Sequence, residues 1–445
     1  MGSPPPLLDL VGADTQVPLL DGRWVGYANL DGAASTPALR SVAERLATVQ
    51  PWYASVHRGA GYLSQVATAL YEEARSRIGA FVDARDDDLT VITRNTTDAI
   101  NLLAGVAPGP ALVLDVEHHA NLLPWQRSRH GATVLVADST IEQTLDRIDA
   151  TLAAQPHALL AVTGASNVTG EALPLARVVA IAHRHGARVL VDAAQLLAHH
   201  HLSLRTSDVD YVAFSGHKLY APYGAGALVG RRDWLDAGRP HLSGGGAVRR
   251  VTTESTEWAD GPARHEAGSP NVLGAVALAA AAEALQALDL TALTAHEAEL
   301  RNTLADGLAA LPGIRFARIW ADSPDHATVS TFTLDGVEPG KLAAYLSAEH
   351  GIGVRDGRFC AHPLLDRLGF PIGAIRASFG GGTRREEVER LVEGVHRFIV
   401  DGPRGEYAIR DHCWTLLEDP RPVPGLAGIS TLVATAGACS DELVS

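Results

Sequence analysis

The sequence has 445 residues, of which 46% are hydrophobic and 20% are charged, so the chain has enough apolar material for a folded core and is not disordered as a whole. Its 51 acidic residues against 37 Lys and Arg give a formal net charge of −14, which argues against a general nucleic-acid binder or a polybasic membrane binder. At about 150 residues per domain, this length predicts roughly two or three domains.

The cysteine content and the N-terminus predict a soluble, cytoplasmic protein. Cys360, Cys413 and Cys439 form an odd set without paired spacing, which is typical of a reducing compartment. The first residues have neither a basic region nor a long apolar run, so we expect no signal peptide. The most apolar stretch, residues 272–288, is interrupted by Gly274, Glu283 and Gln286 and predicts a buried helix, not a membrane span.

Two domains and two terminal segments follow in chain order. We assign residues 1–40 to an N-terminal segment that packs on the smaller domain. Residues 41–288 alternate short aliphatic runs with helical patterns, which predicts βαβ units, a mainly parallel sheet and a large α/β domain. The aliphatic runs predicted as strands are residues 89–93, 112–114, 133–136, 159–162, 189–191 and 211–214.

The pattern changes after residue 288. Residues 289–400 mix long helical patterns with fewer strands and predict a smaller α+β domain. Residues 401–445 are assigned to a C-terminal extension that we expect to be partly disordered, chiefly over residues 431–445. The elements predicted within 289–400 are helices at 293–311, 341–350 and 385–400 and strands at 327–334 and 351–354.

Polar side chains follow the predicted strands of the large domain. Ligands of a parallel sheet bind at the carboxyl ends of its strands, so these positions are favoured for function. The groups concerned are Thr96-Thr97, Glu117-His118-His119, Ser166-Asn167, Asp192 with Gln195, and Ser215-Gly216-His217-Lys218.

This set suits a pyridoxal phosphate (PLP) pocket. The aldehyde of PLP needs a lysine amine such as Lys218, and its pyridine nitrogen needs a carboxylate such as Asp192. Its phosphate needs hydroxyls and backbone N–H groups at the start of a helix, which the Thr96-Thr97 turn offers. The sequence therefore predicts a PLP site at this edge of the sheet.

Seven motifs in order carry a resemblance to class V (fold type I) PLP-dependent enzymes, and within that class to short-loop cysteine desulfurases and selenocysteine lyases. The similarity runs from about residue 30 to residue 399. The motifs are Asn29-Leu30-Asp31-Gly32-Ala33-Ala34-Ser35, Val56-His57-Arg58-Gly59, Glu117-His118-His119-Ala120-Asn121, Asp192-Ala193-Ala194-Gln195, Ser215-Gly216-His217-Lys218-Leu219-Tyr220, Glu266-Ala267-Gly268-Ser269-Pro270-Asn271 and Arg376-Ala377-Ser378.

The resemblance implies a sheet of the seven-stranded type and a set of cofactor contacts. Lys218 is the implied Schiff-base lysine and proton shuttle, and Asp192 the partner of the pyridine nitrogen. Gln195 is implied to bond the ring hydroxyl and His118 to stack on the ring. The implied phosphate contacts are Thr96, Thr97, Ser215 and His217, with Ser269 reaching the phosphate from the second subunit of a homodimer.

The resemblance also implies an activity. An L-cysteine-type amino acid would condense with PLP as an external aldimine, pass its sulfur (or selenium) to Cys360 as a persulfide and leave as alanine, and a sulfur-acceptor protein is a possible partner. The C–S cleavage would thus involve Lys218, Cys360 and His118 as catalytic residues. The implied substrate contacts are Asn167, Arg355, Arg376, His57 and Arg58, with Arg58 crossing the dimer interface.

Two departures from the family pattern keep alternatives open. Arg358-Phe359 precedes Cys360 where the family has small or His residues, and Phe379-Gly380-Gly381-Gly382-Thr383 follows Ser378 where it has a Tyr-Asn-Thr type of sequence. A PLP-dependent C–S β-lyase, an aminotransferase or an epimerase acting on a secondary metabolite therefore remains an alternative. A scaffold or sulfur carrier without chemistry of its own is a second, which the presence of Lys218 and Asp192 disfavours.

Other features receive structural interpretations. His199-His200-His201 has no carboxylate or Cys at ligand spacing, so we predict no metal site. Gly244-Gly245-Gly246 is interpreted as a flexible loop near the active site or dimer interface, and Cys413 and Cys439 as incidental thiols.

Overall fold

The structure is a computed structural model that describes residues 6–57, 59–324 and 328–426. Its strands are β1 Gln16–Pro18, β2 Trp24–Gly26, β3 Ala28–Asn29, β4 Asp88–Thr93, β5 Ala111–Leu114, β6 Ala132–Leu135, β7 Leu159–Thr163, β8 Arg188–Asp192, β9 Tyr211–Ser215, β10 Gly226–Arg231, β11 Val248–Val251, β12 Thr256–Trp258, β13 Ile314–Phe316, β14 Val329–Leu334, β15 Ile352–Gly353, β16 Arg355–Gly357, β17 Ala374–Ser378, β18 Tyr407–Arg410 and β19 Cys413–Leu416. Its α-helices are α1 Arg40–Val49, α2 Tyr62–Phe81, α3 Thr96–Val106, α4 His119–Arg127, α5 Ile141–Ala154, α6 Leu175–Arg184, α7 Leu204–Ser207, α8 Arg232–Ala237, α9 Val272–Gln286, α10 Leu290–Ala309, α11 Pro339–His350, α12 His362–Arg367 and α13 Arg385–Val400.

A seven-stranded sheet in the order β4-β10-β9-β8-β7-β5-β6 forms the centre of the large domain. Strand β10 runs antiparallel to both β4 and β9, whereas β9, β8, β7, β5 and β6 pair in parallel. Strands β5, β7 and β9 are buried at every position, as their near-continuous apolar sequences require when helices cover both faces. The prediction of a mainly parallel sheet flanked by helices is confirmed.

Helices cover both faces of this sheet. One buried core includes side chains of α1, α2 and α9, and α9 packs extensively against α2. A second core on the opposite face includes side chains of α3 and α8, with Trp125 of α4 almost completely buried. The predicted buried helix at residues 272–288 is α9, whose buried residues occur on all of its sides. Among the described residues no single helix meets the length and hydropathy of a membrane span; α9 and α10 meet them only when taken together, at a 90° bend.

A smaller α+β unit follows α9. Its four-stranded sheet has the order β13-β14-β17-β16 and is antiparallel throughout. Helices α10, α11 and α13 pack together, so their apolar faces form a third core, in which Leu300, Phe332 and Leu391 are buried. Helix α13 spans the predicted residues, while β13, β16, β17 and α12 are elements that the sequence analysis did not identify.

Segments near both ends of the described chain pack on this smaller unit. Strand β3 pairs in parallel with β15, and Leu30 is completely buried in the third core. After α13, residues 401–426 include the β18–β19 hairpin, and β19 packs against α11. The buried Glu349 of α11 accepts hydrogen bonds from Arg404 N, Gly405 N and Tyr407 Oη at 2.9, 3.1 and 3.0 Å, which anchors this extension. The disorder predicted for residues 431–445 lies outside the described residues, and the domain boundaries themselves stay predictions.

Candidate active site

A cavity of about 250 Å³ opens at the carboxyl ends of the parallel strands. It gathers side chains from the large sheet and from the smaller unit, as the topology of an open α/β sheet favours. The predicted residues that line it are Thr96, Thr97, His118, Asn167, Asp192, Gln195, Ser215, His217, Lys218, Arg355, Cys360 and Arg376.

Lys218 reaches this cavity from a tight turn directly after β9. The turn is a 3-10 segment, Gly216–Lys218, and a Cβ on Gly216 would lie 2.9 Å from the carbonyl oxygens of Ala221 and Ala225, so a glycine is needed there. Burial lowers the pKa of Lys218 to about 8, and the nearby Asp192 charge partly opposes that shift. A substantial fraction of the amine is therefore neutral, and nucleophilic, at mildly alkaline pH.

Asp192 stands at the end of the neighbouring strand β8, in register with Ala213 of β9. Its side chain is buried, and its Oδ1 accepts a hydrogen bond of 3.0 Å from Ala194 N. Burial raises the pKa of Asp192, while the Lys218 charge and the bond from Ala194 favour the carboxylate. Gln195, one turn further, donates from Nε2 to Ala33 O at 2.7 Å, which orients its amide.

The N-terminus of α3 forms one wall of the cavity. Asn95 caps this helix by accepting a bond of 2.9 Å from Asp98 N, and Thr96 N donates to Ser215 Oγ at 2.7 Å. A Cβ on Gly226 of β10 would lie 2.8 Å from Asn95 Cα, so that glycine lets the helix start approach the sheet. Hydroxyls and a helix N-terminus at one place suit an anion such as phosphate. The sequence analysis missed Asn95, although Asn before a helical pattern is a capping signal.

His118 caps α4 with its ring. Its Nδ1 accepts a hydrogen bond of 3.0 Å from Ala120 N, so the ring proton is on Nε2. Burial lowers the pKa of His118 to about 3, which keeps the ring neutral at physiological pH. Beneath it, the fully buried Glu117 accepts bonds from Asn121 Nδ2 at 2.7 Å and Thr163 N at 3.1 Å, and burial raises the pKa of Glu117 to about 8.

Arg376 of β17 brings a buried guanidinium to the same cavity. Its Nη2 donates to Asp31 Oδ1 at 2.9 Å and its Nη1 to Asn167 O at 3.0 Å. Its Nε is buried and has no hydrogen-bond partner among the described residues. The sequence analysis included Asp31 in a motif but assigned it no role, because nothing in the sequence indicates which carboxylate faces Arg376.

Cys360 lies in a tight turn between β16 and α12. Phe359 and Cys360 both have left-handed backbone conformations, with φ of 52° and 54°. Asn167 Nδ2 donates to Phe359 O at 2.7 Å, and His119 N donates to Cys360 O at 2.8 Å. Within the described part of the chain, the Cys360 side chain forms no disulfide. The turn thus places Cys360 in the same cavity as Lys218 and Arg376.

The remaining predicted site residues lie elsewhere. His57 lines a second cavity of about 1020 Å³ together with Tyr71, Arg75 and Glu266, and the neighbours of Ser269 in the chain line it as well. Arg58 lies outside the described residues. His57 and Ser269 are therefore not brought to the Lys218 cavity of their own chain, and their assignment to a dimeric site stays a prediction.

The histidine run 199–201 begins with a residue that has a structural role. His199 pairs with Glu297 at 2.7 Å through Nδ1 and with Thr328 Oγ1 at 3.2 Å through Nε2, which ties the large domain to the smaller unit. Within residues 6–57, 59–324 and 328–426, no three His, Cys, Asp or Glu side chains are grouped so that they could hold a metal ion.

The family model "Aminotransferase class-V" matches residues 28–391. The chain belongs to the class-V aminotransferase family. It is therefore a PLP-dependent enzyme, as the resemblance implied.

Several class-V relatives carry the name cysteine desulfurase. The protein of that name from Dickeya dadantii is 38% identical over 403 residues, which cover 88% of this chain and 96% of that protein. A probable cysteine desulfurase from Vibrio cholerae is 36% identical over 381 residues, covering 83% of this chain and 93% of the relative.

Solved structures agree with these relatives. The crystal structure of the Escherichia coli cysteine desulfurase CsdA (S-sulfonic acid) matches with a TM-score of 0.75 and 34% identity, over 84% of this chain and 95% of that one. The apo structure of the cysteine desulfurase from Thermococcus onnurineus NA1 matches with a TM-score of 0.77 and 32% identity over the same shares.

The class-V cofactor fits the donor set of the Lys218 cavity. The cavity is lined by the amine of Lys218, the buried carboxylate of Asp192 and the neutral imidazole of His118. Thr97 adds a hydroxyl at the start of α3, and Ser215, at the end of β9, adds a second one close to it. These groups match the aldehyde, the ring nitrogen, the ring face and the phosphate of PLP in turn.

Proposed function

We propose that this chain is a cysteine desulfurase that passes the sulfur of L-cysteine to Cys360. The observation that carries the proposal is the presence of Cys360, Lys218 and Arg376 in one cavity, in a chain whose class-V relatives carry that name. When bound, PLP supplies an aldehyde that forms imines with amines and a ring that withdraws electrons from the attached amino acid.

In this proposal Lys218 holds the cofactor and, when displaced by substrate, moves protons with its Nζ. Asp192 would keep the pyridine nitrogen protonated, because a buried carboxylate is stabilised by a positive charge beside it, as the effect of the Lys218 charge on its pKa indicates. His118 would contact the face of the ring as a neutral imidazole. Thr97, Ser215 and His217 hold the phosphate together with the helix start at Thr96.

Arg376 binds the substrate carboxylate in this proposal. Its Nε lacks a partner within the described part of the chain, and a guanidinium pairs with carboxylates in a bidentate geometry. Asn167 remains a candidate for the same carboxylate, since its amide has two N–H donors and the bond to Phe359 O uses one of them. Arg355, on the adjacent strand β16 and paired with Arg376 in the sheet, adds positive charge to the same wall.

The sulfur step transfers the sulfur atom of the substrate thiol to the Cys360 thiol. The Cys360 thiolate attacks the substrate sulfur, the C–S bond of L-cysteine breaks, and an S–S bond forms on Cys360. The substrate carbon takes the proton and the bonding electron pair and leaves as the methyl group of alanine. One thiol and one L-cysteine thus become one persulfide and one alanine.

The proposed experiment incubates the purified holoenzyme with L-cysteine and a thiol reductant. Alanine and sulfide in equal amounts are expected, and the Cys360→Ala variant should release neither at the wild-type rate. Cys413→Ala is the matched control, because Cys413 lies on β19, outside this cavity. Pyruvate with ammonia would instead indicate elimination, and full turnover by Cys360→Ala would contradict the persulfide.

We further propose that the enzyme works as a homodimer. Three large aromatic side chains before or at the start of α2 are exposed: Trp52 by 48%, Tyr53 by 52% and Tyr62 by 72%. Large aromatic side chains exposed together are typical of protein interfaces. A Tyr62→Glu variant should sediment as a monomer, whereas Trp24→Glu, which removes an exposed aromatic from the β1–β2 hairpin, should not change the mass.

A sulfur-acceptor protein and a cytoplasmic location complete the proposal. A persulfide on Cys360 must be passed on or reduced before the next turnover, and a reducing compartment maintains the thiol that accepts the next sulfur.

A further inference from the structure

Phe359 connects the two residues assigned to the substrate carboxylate with the residue assigned to accept the sulfur. It directly precedes Cys360, its carbonyl oxygen accepts the 2.7 Å bond from Asn167 Nδ2, and its ring lies under the Arg376 guanidinium, 5.2 Å from Cζ to the ring centroid. Arg376 Nη1 in turn donates to Asn167 O. A side chain that is 2% exposed is thus held from two directions by the carboxylate pocket.

These contacts hold a strained turn. Phe359 and Cys360 are two successive non-glycine residues with left-handed backbone conformations. Residues with side chains adopt this conformation in succession only when the surrounding structure imposes it. The bond from His119 N to Cys360 O supports the far side of the turn. The position of Cys360 therefore depends on contacts that Phe359 makes with Arg376 and Asn167.

We propose that Phe359 is a positioning residue that couples carboxylate binding at Arg376 to release of the Cys360 turn. The coupling rests on the proposed function, because its role is to let Cys360 approach the substrate sulfur once the substrate carboxylate is bound. The guanidinium attracts the face of the phenyl ring while its charge is partly balanced by its ion pair with Asp31. A carboxylate bound to Arg376 neutralises that charge further, so the attraction weakens and the strained turn relaxes.

The ring and the carbonyl oxygen of Phe359 contact the site by different routes. A phenyl ring neither takes up nor releases a proton, so the ring responds to an anion through the guanidinium that it contacts, whereas the carbonyl oxygen held by Asn167 is a backbone atom that Phe359→Leu keeps. Arg376 Nε has no hydrogen-bond partner within the described residues. It can therefore donate to an incoming carboxylate while the ion pair with Asp31 stays intact.

The test measures the alkylation of Cys360 in the holoenzyme by iodoacetamide, with peptide mass spectrometry as the readout. Propionate is the probe, because it has the carboxylate and carbon skeleton of alanine but no amine. The uncharged 1-propanol controls for solvent effects, and Cys413 in the same sample reports general reactivity. Phe359→Leu removes the ring and keeps apolar bulk, while Phe359→Tyr keeps the ring.

Propionate is expected to accelerate Cys360 alkylation about fivefold in the wild type and in Phe359→Tyr, and less than twofold in Phe359→Leu. Phe359→Leu should also react faster than the wild type without any ligand. Unchanged or slower alkylation of wild-type Cys360 with propionate, as simple shielding predicts, overturns the coupling, and so does an equal response of Phe359→Leu. If a variant does not fold, the alkylation rates of the wild type with and without propionate still decide the proposal. Because no sulfur is transferred in this assay, its outcome is independent of the alanine and sulfide assay.

Discussion

The Arg376 guanidinium donates a hydrogen bond of 2.9 Å to the Asp31 carboxylate, although 345 positions separate the two residues. Arg376 is 4% exposed at its side chain and Asp31 is 25% exposed, so this ion pair is largely shielded from solvent, where the N-terminal segment bridges to Ser378 of β17. Arg376 also anchors Asn167 and Phe359. The pair therefore links the stability of the fold to the geometry of the substrate pocket.

Removal of the carboxylate from this pair should destabilise the protein. Asp31→Ala leaves a buried Nη2 donor without its acceptor, which costs about 1–3 kcal/mol of the free energy of unfolding. Urea denaturation of the holoenzyme measures the loss. Asp9→Ala is the control, because the Asp9–Arg40 pair is exposed at both side chains and should contribute within about 0.5 kcal/mol. Equal stability of both variants would show that the Arg376 pair contributes nothing.

Replacing the guanidinium by an amine should weaken substrate binding more than catalysis. Arg376→Lys keeps the charge but loses the planar, bidentate donor set, so the KM for L-cysteine should rise about 10- to 100-fold with a smaller change in kcat. Steady-state alanine release measures both constants. Arg385→Lys, in an exposed pair with Glu389 on α13, should leave both constants unchanged. A KM within twofold of the wild type would remove Arg376 from the carboxylate site.

The pKa of Lys218 predicts how cofactor attachment depends on pH. Its ordinary pKa is 10.5 and burial lowers it to about 8, so between these two values the amine is mostly neutral only in the folded protein. Covalent attachment of PLP to cofactor-free protein should accelerate about tenfold per pH unit below pH 8 and level off above it.

The rise of the visible absorption band measures this rate, and Nα-acetyl-lysine amide serves as an unburied reference. Asp192→Asn removes the charge that raises the pKa of Lys218, so its plateau should begin at lower pH. A midpoint near that of the reference amine would contradict the burial of Lys218.

The C-terminal extension should detach when its anchor is removed. Glu349→Ala deprives Arg404 N, Gly405 N and Tyr407 Oη of a shared buried acceptor, at a cost of about 1–3 kcal/mol. Limited proteolysis should then cut within residues 401–426 while the rest of the chain stays intact. Glu406→Ala, in the same segment but with an exposed side chain, is the matched control and should resist cleavage like the wild type.

The large domain and its strand-end residues could be predicted because their signals are local. An aliphatic strand followed by a polar turn identifies Asp192 and Lys218, and parallel pairing of β8 and β9 brings the two together without further information. Strand β10 was missed because its glycines hide the strand pattern, although Gly226 is the residue that lets Asn95 approach the sheet.

The partners of Arg376 could not be predicted because they depend on tertiary register. Asp31 and Phe359 contact it only after β3 has paired with β15 and β16 with β17, and these short strands carry no clear alternation. The packing of residues 401–426 was not predicted either. The prolines and glycines of this extension are typical of a loop, and only the buried Glu349 on α11 explains why residues 404–407 are held in place.

The pairing of β3 with β15 also has a consequence for biosynthesis. A nascent chain still on the ribosome has made Asp31 and Lys218 long before Arg376, so its reaction chamber lacks a wall until translation is nearly complete. Truncated products that end before β17 therefore retain the lysine but lack the guanidinium that we assign to the substrate carboxylate.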